Sequence, residues 1–111
     1  MALDTATLLP EQVALLELGD AVGLANRYHP EAVVLHDRGA VQGRDILNLF
    51  TQAVTPPRRI LRATAVCRTE DTLLYDVVQD VAGDTVRIVG SFVLRDGLIW
   101  RHTSLEVPVD S

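Results

Sequence analysis

The pair Pro56-Pro57 divides this chain into two halves of different hydrophobic period, and that division constrains the fold more than any other feature. Proline has no amide N–H and its ring obstructs the preceding turn, so a helix does not continue through two of them. Beyond the pair, apolar residues alternate with polar ones, which is the period of half-buried strands. Three turn signals interrupt the alternation: Thr69 to Asp71, Gly83 with Asp84, and Asp96 with Gly97. They predict four strands of about eight to ten residues each, arranged as a meander. A two-residue loop at Gly83-Asp84 would oppose Ala82 to Thr85, Asp80 to Arg87, Val78 to Val89 and Asp76 to Ser91. One face of that hairpin then carries an Asp80 and Arg87 pair. The other sets Tyr75, Val77, Gln79 and Val81 against Val86, Ile88, Gly90 and Phe92, the composition of a core or of a pocket wall.

Before the prolines the period is helical. Pro10 is preorganised for an opening helical position, Glu11, Val13, Leu16 and Glu17 follow, and Gly19 is the stop signal. Asp20 is a good N-cap for a second helix, whose apolar positions Ala21, Leu24, Ala25 and Tyr28 have helical spacing and which Pro30 is expected to end. The run from Ala32 to Leu35, leading into His36 and Asp37, reads as a strand, with Gly39 and Gly43 bracketing the turn after it. A third helix has the stripe Ile46, Leu49, Phe50 and Ala53, with Asp45 in its first turn. The expectation is one α+β domain over residues 1–111: an antiparallel sheet packed against about three N-terminal helices.

Composition narrows the function. The chain has 111 residues, 48% of them hydrophobic, enough for one buried core. It has no run of about 18 apolar residues that would cross a membrane as a helix. The lone Cys67 cannot form an intramolecular disulfide, and no basic region followed by an apolar one opens the chain, so a cytoplasmic address is expected. The formal net charge is −5, and Arg58 and Arg59 are the only adjacent basic residues. Nucleic acid and membrane surfaces are therefore not expected partners. No paired-histidine helix motif, Cys pair, glycine-rich phosphate loop or nucleophile elbow is present, so neither a metal nor a cofactor is expected.

The succession is distinctive: a helix, Gly19-Asp20, then Tyr28-His29-Pro30-Glu31-Ala32-Val33-Val34-Leu35-His36, Gly43-Arg44, a helix with Phe50, and a closing meander. Over about residues 10 to 107 it resembles the nuclear transport factor 2-like superfamily, in particular its SnoaL-like polyketide cyclase and ketosteroid isomerase branches. The resemblance implies a cone-shaped α+β barrel, with helices closing a pocket in the cone and a convex sheet face that commonly forms a homodimer. It places His36 where the ketosteroid isomerases carry a carboxylate general base, and an imidazole can accept a proton at neutral pH without the burial a carboxylate needs. It also places Gln12 and Gly90 where those isomerases carry their tyrosine and aspartic acid donors. Without that preorganised pair for a developing enolate, the usual steroid isomerase reaction is not expected.

On the last strand, alternation puts Trp100, His102, Ser104 and Glu106 on the face that matches the pocket side, bringing His102 towards His36. The implied site has His36 as base and His102 as a secondary acid or donor. Its walls are Gln12, Leu35, Phe50, Tyr75, Val77, Gln79, Ile88, Phe92 and Ser104, around a small apolar or amphipathic molecule. The implied function is a cofactor-independent isomerase, cyclase or dehydratase acting on an apolar carbonyl compound. The alternative is a non-catalytic ligand-binding or homodimerisation module, with the cone filled by its own side chains and Val78, Val89 and Val93 on the dimer face. In the bland reading His36 only bonds backbone or Asp37, His29 meets helix-terminal carbonyls, and Glu106 is a solvated rim residue. The short first helix would leave the cavity open, or closed by Leu8 and Leu9 of this chain or a partner subunit.

Overall fold

The computed structural model describes residues 2–109. Three helices, α1 (Leu8–Leu18), α2 (Ala21–Ala25) and α3 (Asp45–Ala53), accompany six strands: β1 (Tyr28–His36), β2 (Gly39–Gln42), β3 (Arg58–Arg68), β4 (Thr72–Val81), β5 (Asp84–Arg95) and β6 (Leu98–Val107). The strands form one curved, unclosed sheet in the order β2-β1-β6-β5-β4-β3. Every pairing is antiparallel except β1 with β6. That parallel pair joins the lead-in to the end of the meander. Leu8, Leu24, Leu73, Phe92 and Ile99 are among the most deeply buried side chains, placing the core between the helices and the concave face.

The helix signals act as local chemistry dictates. Gly19 takes a left-handed φ of 72° and, with Asp20, returns amide N–H groups to the Leu16 and Leu15 carbonyls. Such a reversal is nearly free of steric cost only for glycine. Asp20 caps α2 by accepting the Gly23 N–H at 2.8 Å. The first helix begins two residues before the expected Pro10, which occupies the first turn, where its missing N–H would be unpaired anyway. Leu8 and Leu9 therefore lie inside α1 and within this chain's own core.

Three expectations are corrected. The second helix stops at Ala25, and Tyr28 opens β1 with its side chain in the core. Pro30 then sits inside β1, where the register against β6 is irregular between Tyr28 and Val33 and its missing donor breaks no regular ladder. The Gly39 to Gly43 segment is not only a turn: Gly39–Gln42 pairs with Val33–His36 as a short hairpin arm.

The β4-β5 hairpin turns at Ala82-Gly83 rather than Gly83-Asp84, with φ of 53° and 91°, so Asp80 faces Thr85 and Val78 faces Arg87. A turn with two positive φ angles favours glycine at its second central position, and the Gly83 N–H is held by Asp80 Oδ1 at 2.9 Å. The displacement is two residues, so each residue keeps its expected face. The expected Asp80–Arg87 pair is replaced by a bidentate Arg87–Asp76 pair at 3.0 and 2.7 Å. At Asp96-Gly97 the turn falls where expected, again with both φ angles positive.

Candidate functional site

Inward-facing residues of the sheet, together with α1 and α3, enclose a partly open cavity of about 160 Å³. It is lined by Phe50, Tyr75, Val77, Gln79, Ile88 and Phe92, with His36, His102, Ser104 and Gln12 adding polar groups. The aliphatic remainder comes from Leu9, Val13, Leu16, Val34, Leu49 and Ala53. Of the expected lining residues, Leu35 does not take part. It pairs with Ala40 and Thr103 on the outer face of the sheet and is 47% exposed, because its neighbours Val34 and His36 take the inward positions.

Trp100 also departs from its expected face. The register between β5 and β6 shifts after Val93, so β6 holds one residue more than its partner, and Ile99 rather than Trp100 enters the core. Trp100 instead stacks under the Arg101 guanidinium, 3.8 Å from the ring centroid. His29, with no helix end beside it, contacts Asp96 at 3.4 Å and accepts the Glu31 amide N–H.

The floor is a continuous hydrogen-bond chain. Arg27 Nε donates to Gln12 Oε1 at 2.7 Å, and Gln12 Nε2 donates to the Tyr28 hydroxyl at 3.1 Å. Tyr28 meets His102 Nδ1 at 2.8 Å, Tyr75 meets His102 Nε2 at 2.9 Å, and the Tyr75 hydroxyl donates to the Thr103 carbonyl at 3.2 Å. The two ends fix its polarity. A guanidinium can only donate and a carbonyl can only accept, so the Tyr28 proton goes to Nδ1 while His102 carries its own proton on Nε2.

Burial, followed by the nearby His36, pulls the His102 pKa down to about 3. Burial pushes Tyr75 up to about 12 and Tyr28 well above its ordinary value. All three groups are therefore neutral near pH 7, and both ring nitrogens of His102 are engaged. Gly90 makes the chain possible, since a Cβ there would collide with the Thr103 carbonyl oxygen and the Tyr75 ring. An aspartic acid in that place is sterically excluded.

The rim is built differently. His36, at the end of β1, keeps 21% of its side chain exposed. Its Nδ1 accepts the Arg38 amide N–H at 3.1 Å, while Asp37 Oδ1, at 4.0 Å, is beyond hydrogen-bond length. A neutral ring with Nδ1 accepting carries its proton on Nε2 and offers a donor.

Arg58, at the start of β3, is the charged lining residue that sequence reasoning missed, beside six aliphatic ones. It donates from Nη1 to Gln79 Oε1 at 2.9 Å, and its buried Nε has no hydrogen-bond partner among the described residues. Burial lowers its pKa from the ordinary value. The available signal was alternation: Arg58 shares its inward parity with Ile60, whereas Arg59 between them is exposed. Among the described residues, no group of three His, Cys, Asp or Glu side chains could hold a metal, and no helix is long and apolar enough to cross a membrane.

No family model matches the sequence, and no curated protein matches it. Solved structures do. A nuclear transport factor 2-like protein of unknown function from Cytophaga hutchinsonii superposes with a TM-score of 0.75 at 14% identity, covering 97% of this chain and 94% of that one. A putative polyketide cyclase from Sinorhizobium meliloti gives 0.65 at 22% identity over 83% and 87%. A putative calcium/calmodulin dependent protein kinase II association domain from Xanthomonas campestris gives 0.69 at 26% identity over 95% and 86%. The curved sheet, its helical cover and these superpositions agree: this chain has the nuclear transport factor 2-like fold.

Proposed function

We propose that the cavity binds a small apolar or amphipathic molecule bearing a carbonyl-type oxygen. The observation that carries this reading is the cavity itself, about 160 Å³ of mainly apolar wall with polar donors at its rim. A dry protein cavity of about 150 Å³ accommodates a benzene-sized ring. The resemblance to a polyketide cyclase supports a catalytic form, a cofactor-independent isomerase, cyclase or dehydratase. In the tautomer favoured by the Arg38 contact, His36 acts first by donating to the substrate oxygen. Service as a general base would need its proton on Nδ1 and the Arg38 bond broken. His102, with both nitrogens bonded, positions Tyr75 and Tyr28 rather than transferring protons.

Titration of acetophenone and cyclohexanone, followed by amide chemical shifts, tests the reading. Saturable shifts confined to residues around the cavity are expected. Ala53→Phe, which places a ring in the cavity from the last residue of α3, should abolish them. A wild-type spectrum indifferent to both ketones would sink the proposal.

A homodimerisation module is the second reading. Leu74 and Leu105 are 42% and 48% exposed on the convex face that also carries Val78, Val89 and Val93. A second copy would cover this surface, and the association-domain relative favours assembly. Light scattering should give twice the chain mass for the wild type and the monomer mass for Leu105→Glu. A wild-type monomer at high concentration removes this reading.

A further inference from the structure

Among the described residues, the titratable side chains lining the cavity are His36, Arg58, Tyr75 and His102, and none is a carboxylate. This holds in a chain whose formal net charge is −5, so the absence of acids is specific to the cavity wall. Of the other half-buried arginines, Arg27 pairs with Glu11 at 3.2 Å and Arg87 with Asp76 at 2.7 Å, while Arg101, outside the cavity, is held by the Glu31 and Trp100 carbonyls and the Trp100 ring. Arg58 has only the neutral Gln79 carbonyl among the described residues. Glu17, the acid that reaches this end of β3, is spent on the Ile60 amide N–H at 2.9 Å.

We infer that the cavity is selective for a monoanionic ligand, a carboxylate on a ring-sized apolar body, and that Arg58 is its anchor. Resting on the small-molecule reading above, this inference specifies the ligand's charge. A half-buried guanidinium beside apolar walls is costly while unpaired, and a ligand carboxylate supplies what the fold withholds. Nη1 is held by Gln79, so the remaining Nε and Nη2 donors form the side-on edge that pairs with two carboxylate oxygens. Because Nε is buried, the guanidinium must turn to present that edge to a ligand in the cavity. Gln79, 3% exposed, fixes the guanidinium through Oε1 and keeps its own amide N–H₂ as a further donor. The apolar body of the ligand would lie against Val77, Ile88 and Phe92.

Benzoate, benzamide and acetophenone share one ring and nearly one shape, so their affinities for the wild-type protein isolate the charge. Calorimetric titration should show benzoate binding at least tenfold more tightly than either neutral compound. Arg58→Gln should remove that preference, and Arg59→Gln, at the exposed neighbour, should retain it. Equal binding of all three compounds by the wild type would overturn the anion inference and leave the small-molecule reading standing. Binding of none would overturn both. The wild-type comparison needs no variant, so it decides the matter even if Arg58→Gln fails to fold.

Discussion

Floor and rim of the same cavity hold one histidine each, and they are partnered in opposite ways. His102 is buried with both ring nitrogens bonded to tyrosines, in a chain that runs from Arg27 to the Thr103 carbonyl. His36 has one nitrogen on a backbone amide, and Arg58, which lines the same cavity from β3, has a buried donor with no partner among the described residues. The contrast teaches how to separate structural from functional polarity. A buried polar group whose donors and acceptors are all matched holds the fold together, whereas an unmatched one awaits something the chain does not contain.

The comparison is easiest to break at the floor. Replacing His102 by Ala leaves two buried tyrosine hydroxyls short of a partner as well as a void. The expected loss is about 3 kcal/mol or more in urea unfolding. A loss below about 1 kcal/mol would mean that the chain is incidental to stability.

Acid should attack the same place next. His102 has a folded pKa near 3, below the ordinary 6.5, so between those values the unfolded chain binds the extra proton. Its contribution is complete above pH 6.5 and falls as the pH drops towards 3, by up to about 1.4 kcal/mol per unit. Asp76, whose carboxyl is held below its ordinary value chiefly by Arg87, adds its own loss only at the acid end. Unfolding curves at pH 7, 6, 5 and 4 should show the decline in the wild type, and His102→Gln should flatten it.

At the rim the expected effects on stability are small, which sharpens the contrast. Arg58→Met removes an unpaired cation from a partly buried position, so stability should change by no more than about 1 kcal/mol, with a gain as admissible as a loss. His36→Gln should move stability by about 0.5 kcal/mol or less while weakening acetophenone binding, as read from unfolding and titration on one preparation. If His36→Gln were as costly as His102→Ala, the distinction between floor and rim would collapse.

Much of the architecture was legible because its signals are local. Gly19, Asp20, Pro56-Pro57 and Asp96-Gly97 act within a few residues, and the elements they delimit lie where those residues direct. Reading failed where a residue answered to a distant neighbour. Tyr28 has helical spacing from Ala21 and Leu24, yet its ring is held by Phe50 and its hydroxyl by His102. Leu35 suited a pocket wall by composition, but in a strand its direction was already decided by His36 beside it. Arg58 read only as half of the one adjacent basic pair, since nothing near it in sequence shows that Gln79 would meet it from the neighbouring strand.

By itself, then, the sequence determined the three helices of the first half, a meander of four strands, most of the faces those strands present and two of the three turns between them. These depend on backbone preference and on hydrophobic period, both of which act over a single element. Tertiary structure alone decided the parallel union of β1 with β6, the burial of His102 between two tyrosines, and the isolation of Arg58 from every carboxylate of the described chain. Partnership and desolvation are properties of neighbours in space, and here the neighbours that matter, such as Tyr28 and His102, are 74 residues apart along the chain.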